Sequence, residues 1–204
     1  MNNKMLAITL AALALPGLAE ARKFTFGVGG LLGFNGDLDV DEVKIEGNGN
    51  RGTDDDIESI RGIVAFAETP LNQPNLRVGA RLAYITSEGD DSDSDITTID
   101  VGAQGRYLFP QKGFTPFVTG ALGLSRFSAE GDFFNVNNDV EAEAWGYHLV
   151  LGGGAEWKLD SVSLFGTFTY SRHAGSPEGE EQNTEFTFED TVLTAFHLTV
   201  GVLF

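Results

Sequence analysis

Along most of this chain apolar residues recur at every second position, and turn residues break the alternation into eight segments. A period of two marks strands with two unlike faces. The first segment, Lys23 to Phe34, sets Phe24, Phe26, Val28 and Leu32 against Thr25, Gly27, Gly29 and Gly33. The second, Glu58 to Glu68, is read with Ile60, Val64 and Phe66 outward and Arg61 inward. The third, Leu76 to Thr86, opposes Leu76, Val78, Leu82 and Tyr84 to Arg77 and Arg81. The fourth, Ile96 to Phe109, opposes Ile99, Val101, Tyr107 and Phe109 to Asp100, Gln104 and Arg106. The fifth, Thr115 to Phe127, alternates Val118, Leu122 and Leu124 with Thr119, Gly123 and Ser125. The sixth, Ala144 to Trp157, points Trp145, Tyr147, Leu149, Leu151 and Trp157 one way and His148 and Glu156 the other. The seventh, Val162 to Arg172, alternates Leu164, Phe168 and Tyr170 with Thr167 and Thr169. The eighth runs from about Val192 to the terminal Phe204. There Phe196, Leu198, Val200, Val202 and Phe204 share a face opposite His197, Thr199 and Gly201, with Leu203 the apolar exception.

One face is bulky and aromatic, and the other is rich in Gly, Thr and Ala. That is the reverse of a soluble barrel, which hides its bulky face. It suits a lipid-facing wall around a narrow lumen. The expected fold is all-β: an eight-stranded antiparallel up-and-down transmembrane β-barrel. Trp145 and Trp157 lie twelve residues apart on one face. On a tilted strand that is roughly the 25 Å height of an apolar band, so Trp145, Tyr147 and Trp157 are assigned to its aromatic girdles. The gaps alternate long (35–57, 87–95, 128–143, 173–191) and short (the Pro70 turn, the Pro110 turn, 158–161). Short turns belong on the periplasmic side and long loops outside. Both termini are therefore expected in the periplasm.

The N-terminus has its own character. Lys4 precedes an apolar stretch from Met5 to Leu15, Pro16 breaks it, and Ala19-Glu20-Ala21 fits a small-x-small cleavage site. The run is too short for a membrane helix and reads as a secretory signal peptide over 1–21. The mature barrel domain would then be 22–204. The chain has no Cys, which excludes disulfides and thiol chemistry.

With its C-terminal strand, terminal Phe, signal peptide and strand count, the chain resembles the small eight-stranded outer-membrane β-barrels. That group contains outer membrane protein X, the opacity proteins and the barrel of outer membrane protein A. The resemblance implies the outer membrane of a Gram-negative bacterium. It also implies that Phe196, Leu198, Val200, Val202 and Phe204 form the signal read by the barrel-assembly machinery. Envelope structure or surface interaction is the implied role, without enzymatic activity and without a cofactor.

Charge refines this picture. The 204 residues carry a formal net charge of −17, and almost all of the acid falls in the four long gaps. Such a surface repels nucleic acid and stays solvated. It also offers oxygen ligands for weak capture of divalent cations beside lipopolysaccharide. It holds no EF-hand: counted from Asp37, the sixth position is Glu42 instead of Gly. Arg61, Arg77, Arg81 and Arg106 are read as inward, with Asp100 and Glu156. A charge inside a barrel must be paired or reach water. This predicts an Arg–carboxylate network in the lumen, with Gln104, His148 and His197 as further hydrogen-bonding groups. Because Arg outnumbers acid in this reading, the alternative is a narrow, weakly anion-preferring, porin-like channel. Arg126 and Arg172, outward near the outer rim, are candidates for contact with lipopolysaccharide phosphates. A third reading is a barrel enzyme acting on lipid A. The lipid A deacylases carry His-x-Ser-Asn, whereas this chain has His173-x-x-Ser176 and no Asn after it, a departure from the spacing that lets His activate Ser. No His spacing suggests a metal site.

Overall fold

The computed structural model describes residues 24–45, 48–71, 73, 75–89, 95–131, 140–181 and 184–204. The expected signal peptide lies outside the described residues. Among these residues there is no helix. The strands are β1 (Thr25–Ile45), β2 (Asn48–Pro70), β3 (Leu76–Gly89), β4 (Asp95–Leu108), β5 (Phe114–Gly131), β6 (Val140–Lys158), β7 (Ser163–Gly175), β8 (Glu178–Glu181), β9 (Thr184–Glu189) and β10 (Thr191–Leu203).

Each long strand pairs antiparallel with its neighbour in sequence, and β10 closes the ring on β1. The closure reaches the last residue. Phe204 N–H donates to Phe26 O at 2.8 Å, and Phe26 N–H donates back to Phe204 O at 3.2 Å. The wall is an eight-stranded barrel in which two staves are interrupted. β8 continues the line of β7 by pairing with β6 at Glu143↔Glu178. β9 continues β10 by pairing with β1 from Glu42↔Glu189 to Ile45↔Phe186. Among the described residues, two positive-φ residues other than glycine mark irregularities in the wall: Asn35 where the β1 register shifts, and Asp190 between β9 and β10. Asn and Asp enter the left-handed region most readily among residues with a side chain.

The first and fourth gaps are not loops throughout. β1 and β2 run on as a hairpin to Ile45↔Asn48, and the fourth gap folds as β8–β9. The reason lies on the inner face. Leu38 and Val40 are buried past the last outward aromatic of β1, Phe34, whereas Asp37, Asp39 and Asp41 are exposed. The segment therefore keeps a period of two, with acid as its outward residue.

The strand faces follow the sequence pattern on β1, β3–β7 and β10. β2 is the correction. Ile60, Val64 and Phe66 are buried inward, and the Arg61 side chain is 65% exposed on the outer surface. The inward glycines of β1 provide the room. A Cβ on Gly27 would lie 2.2 Å from the Phe66 ring, and one on Gly33 2.6 Å from Ile60. Bulk on β2 fills what β1 leaves empty, as close packing requires.

The barrel is filled in layers. We call the end bearing Phe204 and the three short turns the turn end, and the opposite end the hairpin end. Toward the hairpin end an apolar cluster crosses the lumen, including Leu38, Val40, Ile57, Ile60, Ile96, Phe127 and Leu193. Toward the turn end Phe66, Phe165 and Leu203 form a second cluster. The polar residues lie among and between these layers.

Candidate functional site: a double polar plug

Arg106 on β4 is the centre of the layer nearer the turn end. Its side chain is 2% exposed, and Glu68, on the inward face of β2 two strands away, is fully buried. Arg106 Nε–H donates to Glu68 Oε1 at 2.7 Å and to Oε2 at 2.8 Å, and Nη2 donates to Oε2 at 2.5 Å. Nη1 crosses to Glu156 Oε1 on β6 at 2.6 Å. Gln104 Nε2 donates to Glu68 Oε1 at 2.6 Å, and Arg77 Nη1 lies 3.7 Å from Glu156. The guanidinium carbon sits 5.0 Å from the Phe66 ring centroid and 4.9 Å from that of Phe117. A planar fork suits this position because it serves two carboxylates while aromatic rings approach its carbon.

The second layer gathers around Asp100, also fully buried. Ser125 Oγ–H donates to its Oδ1 at 2.7 Å, and His173 Nε2–H donates to its Oδ2 at 3.0 Å. Arg81 Nη1 lies 3.5 Å from Oδ2. His148 Nδ1–H donates to Leu124 O at 3.2 Å, with Asp100 Oδ1 at 3.7 Å. Ser171 Oγ and His197 Nε2 are 2.8 Å apart. Between the layers is a cavity of about 30 Å³ whose lining includes Arg81, Gln104, Arg106, Thr119, Thr167, Thr169 and Thr199. It is of the size of one or two waters. Below Arg106 a vestibule of about 380 Å³ opens at the turn end, lined among others by Arg77, Glu156, Lys158 and Asp160.

Of the residues expected in the lumen, the structure places Arg77, Arg81, Asp100, Gln104, Arg106, His148, Glu156 and His197 inward, divided between two layers. Arg61 leaves this set: its guanidinium pairs with Glu88 on the outer surface. Glu68, Ser125, Ser171 and His173 join it. With Arg61 outside and Glu68 inside, Arg77, Arg81 and Arg106 face Glu68, Asp100 and Glu156 in this layered interior. The excess of Arg that favoured an anion path is gone. Glu68 was missed because the β2 faces were inverted. The signal was the odd-numbered set Ile63, Ala65 and Ala67, apolar enough for the lipid side.

His173 and Ser176 are not brought together as a reacting pair. His173 turns inward and its Nε2 is held by Asp100, while its Nδ1 has no hydrogen-bond partner among the described residues. Ser176 follows the end of β7 and is exposed. No group of three or more potential metal ligands occurs among the described residues.

On the outside, Trp145, Tyr147 and Trp157 are exposed together with Phe114, Leu122, Val200 and Leu198. Phe34, Phe168, Tyr170 and Phe196 form a lipid-side aromatic group, with Phe168 and Phe196 stacked at 5.6 Å. Phe196, Leu198, Val200 and Val202 alternate outward along β10, ending at Phe204. Arg126 and Arg172 face outward near the hairpin end. Arg126 pairs with Glu143, one outward position beyond Trp145. The hydrogen bond and charge of that guanidinium hold the Glu143 carboxyl below its ordinary value. Of the acidic gap residues, Glu46, Asp90, Asp91, Asp93, Asp132 and Asp139 lie outside the described residues.

A family model for the outer membrane protein beta-barrel domain matches residues 5–204. Among solved structures, Neisserial surface protein A aligns with 89% of this chain and 96% of its own, with a TM-score of 0.52 and 14% identity. The outer membrane protein OprG from Pseudomonas aeruginosa aligns with 89% of this chain and 95% of its own, with a TM-score of 0.53 and 14% identity. At such identities the likeness is one of fold. Among curated proteins none matches the sequence.

Proposed function

The chain belongs to the outer membrane β-barrel protein family, and from that premise we propose that it is a closed, non-enzymatic scaffold presenting an acidic surface beyond the outer membrane. The observation that carries this reading is Arg106, held across the lumen by Glu68 and Glu156 and flanked by Phe66 and Phe117. A path for ions would have to break a buried ion-pair network and then pass the apolar cluster on the hairpin side. In this reading the turn end with both termini is periplasmic, after removal of the signal peptide, and the hairpin end faces outward.

The surface then does the work. Arg126 and Arg172, joined by Arg61, ring the hairpin-side edge of the apolar belt, where lipopolysaccharide phosphates would meet them. The acid-rich composition of the four gaps would suit weak capture of divalent cations by oxygen ligands. Phe204 and the alternating residues before it would serve the barrel-assembly machinery. The test is single-channel recording on the refolded protein in a planar bilayer near neutral pH, with Arg106→Ala as the comparison. A silent wild type is expected. Discrete conductance steps in the wild type, changed in ion preference by Arg106→Ala, would replace the scaffold with a channel.

A further inference from the structure

The layer around Asp100 contains more ionisable nitrogen than its hydrogen bonds use. A carboxylate and a carbonyl only accept, so the proton of His173 is on Nε2, facing Asp100, and that of His148 is on Nδ1, facing Leu124 O. This leaves His173 Nδ1 and His148 Nε2 as the ring nitrogens that face no acceptor. Both atoms are buried and have no hydrogen-bond partner among the described residues. Buried polar atoms without partners are uncommon and call for a reason. The two residues are cross-strand neighbours, His148↔His173, with ring centroids 6.0 Å apart.

We propose that this layer is a proton-operated latch, which keeps the lumen closed while its imidazoles are neutral and loosens when they gain protons. The inference goes beyond the scaffold reading, which concerns only the neutral state. β3 brings Arg81, β4 brings Asp100, β6 brings His148, β7 brings His173 and β10 brings His197. β5 contributes Ser125 and Phe127, and β1 and β2 contribute apolar residues such as Leu31, Ile60 and Val64. With neutral imidazoles, the single carboxylate of the layer balances the single guanidinium. Each proton added to His148, His173 or His197 is a positive charge with no second carboxylate in the layer to receive it. His148 and His173 would then repel each other and Arg81 across a space that water does not screen. Protons have a polar route to the layer. The vestibule reaches Arg77 and Glu156, Arg106 binds Glu156, and the threonine-lined cavity joins Arg106 to Arg81. On the hairpin side the apolar cluster gives no such route.

The experiment records conductance of the refolded full barrel at roughly pH 8 and pH 4, on either side of the ordinary imidazole range. The wild type is compared with the double variant His148→Gln/His173→Gln, which keeps amide donors and gains no charge. One unit of difference in proton affinity between closed and open states shifts their ratio tenfold per site. We expect conductance at the lower pH to rise at least about tenfold in the wild type and less than about twofold in the variant. A wild type equally silent at both values, or a variant with the full rise, would overturn the latch. If the variant does not refold, nitrogen NMR of the wild-type imidazoles decides. His173 Nδ1 and His148 Nε2 must gain protons across the same range as conductance appears, and rings that stay neutral refute the idea. Conductance already present at pH 8 would refute the closed-scaffold reading instead.

Discussion

Removing the Arg106 guanidinium should be among the most damaging single substitutions in the barrel, and the structure sets its size. Arg106→Ala deletes three hydrogen bonds to Glu68 and one to Glu156. Glu68, with no exposure, keeps its hydrogen bond from Gln104, and Glu156 keeps Arg77 at 3.7 Å. Breaking a buried ion pair from one side costs about 3–5 kcal/mol, because the remaining charge stays desolvated. Losing the contacts with Phe66 and Phe117 adds about 0.5–2 kcal/mol. Gln104, Arg77 and protonation of a carboxylate offset part of this, so a net loss of about 3–4 kcal/mol is expected. Reversible urea unfolding in lipid vesicles, followed by Trp145 and Trp157 fluorescence, measures it. The control is the triple variant Glu68→Gln/Arg106→Met/Glu156→Gln, which removes the charge of Arg106 and of its two carboxylates at similar volume and leaves Arg77 facing the vestibule. It should lie within about 1–2 kcal/mol of wild type. An Arg106→Ala loss below about 1 kcal/mol, or a triple variant as unstable as the single, would refute the reasoning.

Four further outcomes follow from the geometry. Arg61→Ala, acting on an exposed pair with Glu88, should change unfolding stability by less than about 1 kcal/mol in the same assay. Gly27→Val should prevent refolding, judged by heat-modifiable gel mobility, and Phe66→Ala in the same chain should restore it, since the clash is with the Phe66 ring. Gly30→Ala should refold normally, because a Cβ there meets nothing within 4 Å. Deleting Phe204 removes both backbone bonds that end the β1–β10 seam, so cells making the truncated chain should show reduced heat-modifiable barrel in their outer membranes. An unchanged level would separate Phe204 from assembly.

The sequence alone determined the class of molecule, and most of each wall. An alternating pattern cannot slip by one residue without turning its apolar set to the wrong side. That is why Trp145, Tyr147, Trp157 and the alternate residues from Phe196 to Phe204 could be assigned outward, and Asp100, Arg106, His148 and Glu156 inward. On β2 the pattern was ambiguous, since both faces are apolar and Arg61 lies at the rim. Only the neighbouring strand resolved it, where Gly27 and Gly33 leave room for Phe66 and Ile60. Partners across the lumen were also beyond the sequence. Arg106 meets Glu68 and Glu156, and His173 meets Asp100, because closure of the sheet brings together residues that are far apart in the chain. The acidic gaps show the same division. Their charge was evident from composition, but the extension of β1 depends on Leu38 and Val40 entering a core formed with Ile57, Ile96 and Leu193. Alternation is a property of one strand, whereas pairing, charge balance and the closing of the lumen belong to the ring of strands as a whole.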